Sequence, residues 1–438
     1  MKRAMGSSFV LVLALIAMAL LVTSCGRGQA GSSGKQTTIT YLGESYYVDK
    51  FPGSTYITGF EQKYPNIKFK AEGYGFDQVF QVIEVKMAAG SKDYDVIQVD
   101  APNISAYTFR NYLLPLDKYF SKDEINQFIP ADIAGSTVNG HYMAAPLFTS
   151  CVVLLYNKSL LQAGGVSFPS EDPMKRMTWE DLVAASQKIM KAVDPAGKKG
   201  IQGLMIEQVN RPYQTLTLPN SLGAPSIGQD SLTVDGIINS PQWIKAAQFY
   251  SDLFNKYKVS FRGVTPDEAP QDFMAGKIAF FVGGTWDVTP SIKAGISLGY
   301  APHPYFKDGK PVSPTGAWHL GIAKPSAHPD SAAAFVRYMT IGDGSTPWVD
   351  QSGMIPARIS ELNRIGTDPK YAEFPGSVFK IAAYEQKNTA IARPVTPGFN
   401  EYDSILTSTF EDIRNGEVPQ TALNKAVQQI NTALQKYR

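Results

Sequence analysis

The sequence predicts an α/β protein of two lobes with a ligand cleft between them. Three observations lead there. Strand and helix patterns alternate from Ile39 to Asp100, and the same grammar restarts after Pro146. The chain, at 438 residues, is too long to close comfortably over one core.

Ile39–Leu42 reads as a short strand, and Gly43–Tyr46 as its exit loop. Ile57, Phe60 and Tyr64 then share a helix face that stops at Pro65. Ile67–Ala71 alternates as a half-buried strand does, and Phe76, Val79, Phe80, Ile83 and Met87 recur at helical spacing before Gly90. Tyr94–Val99 is the third strand and ends at Asp100. In the second run, Val152–Tyr156 reads as a buried strand, Thr178–Asp181 as a capping box, and Ile201–Ile206 as a strand. Ser240-Pro241 opens a helix with Trp243, Ala247, Tyr250 and Phe254 inward. Ala279–Val282, Gly299–Ala301 and Leu320–Ala323 read as strands, and Pro329 and Pro419 as helix starts. Ligands of α/β sheets bind beyond the carboxyl ends of strands, which directs attention to the loops at Glu44, Asp100 and Trp286.

The N-terminus carries an address. Lys2 and Arg3 precede an uncharged apolar run from Phe9 to Val22, too short for a stable membrane span. The run ends in Val22-Thr23-Ser24-Cys25, small residues before a lone cysteine, which resembles a bacterial lipobox. Residues 1–24 are thus expected to be a signal peptide, and Cys25 to carry a lipid that anchors the mature chain to the bacterial cell membrane. Gly- and Ser-rich residues 25–36 form a flexible tether that cannot bury a core.

Composition excludes other classes. The formal charge is +2, and Lys2 and Arg3 leave with the signal, so nucleic-acid binding has no electrostatic basis. The two cysteines are Cys25 and Cys151; the second lies in an apolar run and reads as a buried hydrophobe, so no disulfide framework exists. His141, His303, His319 and His328 have no metal-ligand spacing, and no metal, cofactor or catalytic residue is expected.

Several segments together resemble the family 1 extracellular solute-binding proteins of ABC importers, the maltose-binding-protein family. They are Tyr94–Ile97, Leu154–Lys158, Met177–Leu182, Phe273–Ala279, Gly283–Trp286, Gly316–Ile322 and Arg393–Pro397, the last two closest to the trehalose- and maltose-binding branch. The resemblance implies a class II-like periplasmic-binding-protein fold with a hinge between lobes. One lobe would take 37–148 plus 288–342, the other 149–287 plus 343–438. It also implies a monomer that captures a sugar and delivers it to a transmembrane permease.

Sugars present hydroxyls that need directional partners and C–H faces that stack on aromatic plates. Carboxylates and a guanidinium serve the first, indoles the second. Glu44, Asp100, Trp286, Gly316, Trp318 and Arg393 are the expected ligand contacts, with Phe148 a further stacking residue. Each has a structural alternative: a helix cap for Asp100, an interlobe salt bridge for Arg393, core packing for Trp318, a turn for Gly316. A glycosidase would need two carboxylates about 5–10 Å apart across the scissile bond, and a phosphodiester binder would need clustered cations. Neither pattern stands out in the chain. Cys25→Ala is expected to release or misprocess the exported protein; wild type free of lipid by mass spectrometry, after expression in a bacterium, would refute the anchor.

Overall fold

The computed structural model describes residues 36–438. The export signal, Cys25 and the tether through Lys35 lie outside the described residues. Eight of the ten strands of the main sheet position the site: β1 (Thr37–Glu44), β2 (Ile67–Tyr74), β3 (Val96–Asp100), β4 (Ala145–Asn157), β5 (Gln202–Ile206), β6 (Ile278–Gly284), β7 (Leu298–Ala301) and β8 (Ser313–Ala323). Their order is β2-β1-β3-β8-β4-β6-β5, with β7 also on β4.

Two strands serve both halves of this sheet. β4 lies antiparallel to β8 through Ala145–Cys151, then to β6 through Val152–Tyr156. β8 lies antiparallel to β3 through Trp318–Ile322 and to β4 through Thr315–Leu320, with a register shift at Trp318/His319. Pairing partners thus change along single strands, and two separate cores form on either side of the change. One core holds Tyr41, Phe60, Val99, Phe335 and Trp348. The other holds Leu154, Trp179, Trp243, Phe280, Tyr402 and Ile430. A smaller third cluster includes Cys151, Phe281 and Val378, with Phe273 stacked on Phe281 at 4.7 Å. Cys151 is free and buried, as the apolar run around it implied.

The strands and helices fall largely where periodicity placed them. Thr178 caps the helix Trp179–Val193, its Oγ1 accepting from Asp181 N at 3.2 Å. Ser240 precedes Pro241–Asn255 without a side-chain cap bond. Gly43–Tyr46 is not a loop: β1 runs to Glu44, and a helical turn Ser45–Val48 follows directly. Among the described residues, no helix is long and apolar enough to cross a membrane.

The expected lobe boundaries need correction at two places. β7 pairs with Leu154–Asn157, and Val288, Leu298 and Tyr300 pack in the third cluster beside Leu155 and Phe281. The segment from 288 to about 312 therefore belongs with the second half, and the chain returns along β8 instead. Conversely, Trp348, Met354 and Ala357 pack in the first core, so the stretch after 343 stays with the first half for another turn. The reason is the Trp348 indole, fully buried among Tyr47, Phe51, Tyr56 and Phe148 at centroid distances of 5.3–6.3 Å. Trp348→Ala is expected to cost about 3–5 kcal/mol by leaving a cavity there. The check is urea unfolding by circular dichroism, where an unchanged midpoint would remove Trp348 from the keystone role.

Candidate ligand-binding site

β1, β3, β4, β6 and β8 bring their ends or midpoints to a cavity of about 850 Å³. Glu44, Asp100, Phe148, Trp286, Gly316, Trp318 and Arg393 all line it. A second hollow of about 570 Å³, between Val349–Met354 and Pro369–Phe379, contains none of the seven.

Lining is not the same as facing a ligand. Arg393 and Asp100 are joined in a forked ion pair, Nη1 to Oδ2 at 2.8 Å and Nη2 to Oδ1 at 2.5 Å. Both carboxylate oxygens are therefore engaged before any ligand arrives. Gly316 makes room for this pair: a Cβ there would sit 2.6 Å from Arg393 Nη2. Tyr213 packs its ring 5.1 Å from the guanidinium and bonds Ser150 Oγ at 2.8 Å.

The aromatic residues divide by exposure. Trp286 is half-buried, and its Nε1 donates to Glu207 Oε1 at 2.8 Å. A Cβ on Gly284 would lie 2.0 Å from the indole, so the glycine before Thr285 is what lets the ring fold back over the strand end. Trp318 is 8% exposed, with Phe80 stacked on it at 5.8 Å and 15° and with Phe76 and Tyr47 at its edges. Core packing thus takes one of its faces. Phe148 is 1% exposed between Tyr47 and Trp348, which corrects its expected stacking role: it backs the cavity from inside the core.

Sequence reasoning missed Tyr46, Phe76, Arg211, Tyr213 and Asp287, which line the cavity, and Glu207, which braces Trp286. Tyr46 and Phe76 are 49% and 43% exposed, unusual for aromatic rings in this chain. Arg211 and Glu207 follow the end of β5, so the strand-end rule applied there would have found them.

A family model for bacterial extracellular solute-binding proteins matches residues 37–340. The chain belongs to this family. Among its relatives, a probable ABC transporter-binding protein of Deinococcus radiodurans is 26% identical over 75% of this chain and 76% of that protein. The maltodextrin-binding protein MdxE of Bacillus subtilis is 22% identical over 95% of both. Among solved structures, the GacH receptor of Streptomyces glaucescens, studied with acarbose, gives a TM-score of 0.77 at 21% identity over 92% of this chain and all of that one. The Listeria monocytogenes binding protein Lmo0181, in complex with cycloalternan, gives 0.78 at 22% identity over 91% and 99%. The expected two-lobe α/β fold is therefore the fold observed, and this extracellular solute-binding protein works outside the cytoplasm.

Acidic groups dominate the cavity's electrostatics. Burial pushes the Glu44 carboxyl up to about 7, Lys50 opposing and Asp100 reinforcing the shift. Burial also pushes Asp403 up to about 6, against the Arg393 charge. Glu207 and Asp287 are both raised, by burial first; their mutual repulsion adds to Asp287. Gly316→Ala should push the guanidinium off Asp100, as should Asp100→Asn by weakening its acceptor. Each is expected to lower the thermal midpoint, while the double variant should fall little further than the worse single one. Fully additive losses would show that Gly316 and the ion pair are independent.

Proposed function

We propose that this solute-binding protein captures a carbohydrate, a di- or oligosaccharide, in the 850 Å³ cavity and delivers it to an ABC-type import permease. The carrying observation is the half-buried Trp286 indole at a cavity that also gathers Glu44, Asp287, Arg211 and the Arg393–Asp100 pair. Flat apolar area beside fixed polar groups is what a sugar ring needs. Relatives named for maltodextrin and maltotriose binding support the same reading. A relative named for sn-glycerol-3-phosphate binding raises the alternative of a non-sugar phosphate ester. Against it, Arg393, one of the two arginines that line the cavity, is already engaged by the Asp100 carboxylate.

In this reading the ligand contacts are Trp286, Glu44, Tyr213 and the outer face or edge of Trp318, while Asp100, Arg393 and Gly316 shape the wall and offer hydrogen bonds at its surface. The two lobes meet where β4 passes Thr149–Val152 and β8 passes Thr315–Trp318, with a third crossing near Ile355. Sugar would favour their closed arrangement only by binding it better than the open one. Cys25 would carry the lipid that holds the monomer near its permease.

Calorimetric titration against mono-, di- and oligosaccharides tests the function. An aromatic anchor is often worth at least about 2 kcal/mol, so Trp286→Ala should weaken binding more than about tenfold without unfolding the protein. Small-angle scattering of the same titration should show a smaller radius of gyration with ligand. No heat with any saccharide would sink the reading, and full affinity in Trp286→Ala would take the indole out of the site.

A further inference from the structure

Beneath the Trp286 indole lies a feature that ligand contact alone does not explain. Glu207 Oε2 and Asp287 Oδ2 both accept the same backbone hydrogen, from Gly284 N, at 3.1 and 3.0 Å. Both side chains are buried, at 6% and 7% exposure. Resting on the proposed function, we infer that Glu207 and Asp287 hold one proton between them and that this proton keeps Trp286 in its ligand-stacking position, which makes ligand capture proton-linked.

Two oxygens each about 3 Å from one nitrogen are close neighbours, and like charges so placed in a buried site do not both ionise near neutrality. The donors are unevenly shared. Glu207 accepts from Trp286 Nε1, from Gln214 Nε2 at 2.8 Å and from Gly284, and it feels the Arg211 charge. Among the described residues, the Asp287 carboxyl accepts only the shared amide. The negative charge therefore rests on Glu207 and the proton on Asp287. The titratable and charged groups facing the pair are Arg211 and Tyr213 beyond β5 and Tyr46 across the cavity.

Trp286 is tied to both carboxyls, through its Nε1 bond to Glu207 and through the chain to Asp287. Removing the shared proton leaves two carboxylates on one amide. Relief requires one of them to withdraw, and either withdrawal shifts the indole. The sign follows from the direction of the shift. A carboxyl raised in the folded state contributes stability that is full below the ordinary carboxylate range and is lost as pH rises through its raised value. Because losing that same proton displaces the indole, ligand affinity should be greatest in mild acid and fall on the alkaline side.

The experiment titrates maltotriose by calorimetry between about pH 6 and pH 9.5, and in parallel follows Trp286 emission without sugar as wild type minus Trp286→Phe. Glu44 also titrates near neutrality, so Glu44→Gln serves as the control. The expected result is a Kd that rises about tenfold or more with pH in wild type and Glu44→Gln, and stays flat when Glu207→Gln or Asp287→Asn is added to the Glu44→Gln background. The emission difference should titrate in wild type and lose that step in both amide variants. If maltotriose does not bind but the emission step is present and amide-sensitive, maltotriose is ruled out as the ligand and the proton holding the indole stands. A flat emission difference overturns the inference. So does a pH dependence of Kd that Glu44→Gln removes and Glu207→Gln keeps.

Discussion

β4 and β8 run antiparallel from Ala145 opposite Leu320 to Cys151 opposite Thr315, and each strand then continues to other partners. Everything at the cavity hangs on this pairing. A strand that changes partner midway must leave one core and enter another, so its middle residues stand between the two. Phe148, Ser150, Gly316 and Trp318 occupy that middle. Gln386 fastens the crossing from the side, its Oε1 accepting from Thr315 Oγ1 at 2.6 Å and Thr149 Oγ1 at 3.1 Å. Buried hydroxyls paired in this way cost little to keep in the interior, whereas unpaired they would be expensive.

Around the crossing, large side chains need space that small ones concede. Gly316 yields to the Arg393 guanidinium, and Gly284 yields to the Trp286 indole. Both glycines sit in a strand, where a missing side chain ordinarily weakens packing. Here each omission is filled by a cavity-lining side chain from elsewhere in the chain or from the next turn. The ion pair that fills the first gap also sets the cavity's charge: with Arg393 spent on Asp100, the carboxyls of Glu44 and Asp287 stay in excess, and burial drives both towards their neutral forms.

How much of this could be read in the chain follows from distance along it. Strand ends announce themselves locally, through alternation followed by Gly or an acidic residue, so Glu44, Asp100 and Trp286 were legible as lining residues. What each does once there depends on partners that no local pattern names. Asp100 and Arg393 are 293 positions apart, and the sequence, which allowed Arg393 an interlobe salt bridge, named no partner for it. Phe148 looked like a stacking ring because its burial comes from Tyr47 and Trp348, one far before it and one far after. The misplaced lobe boundary has the same origin. β7 is a four-residue strand, and nothing in Leu298–Ala301 says that its partner is Leu154–Asn157 and not a strand of the first half.

The contrast between the two expected indoles shows how exposure decides roles that residue type leaves open. Trp318 is fixed by Phe80 on one face and by Phe76 and Tyr47 at its edges, so its orientation is set before any ligand arrives. A ring held in this way loses little freedom on binding, but it also has little uncovered area to contribute. Trp286 has the larger open surface, though its ring packs against the second core, over Gly284 and beside Tyr213 at 6.3 Å and 38°. Its one directional bond runs from Nε1 to Glu207. An anchor with open area and a single polar tether gains most from ligand burial and is most exposed to any change in the tether. That places the energetic weight of the site on the carboxyl beneath the indole as much as on the indole itself.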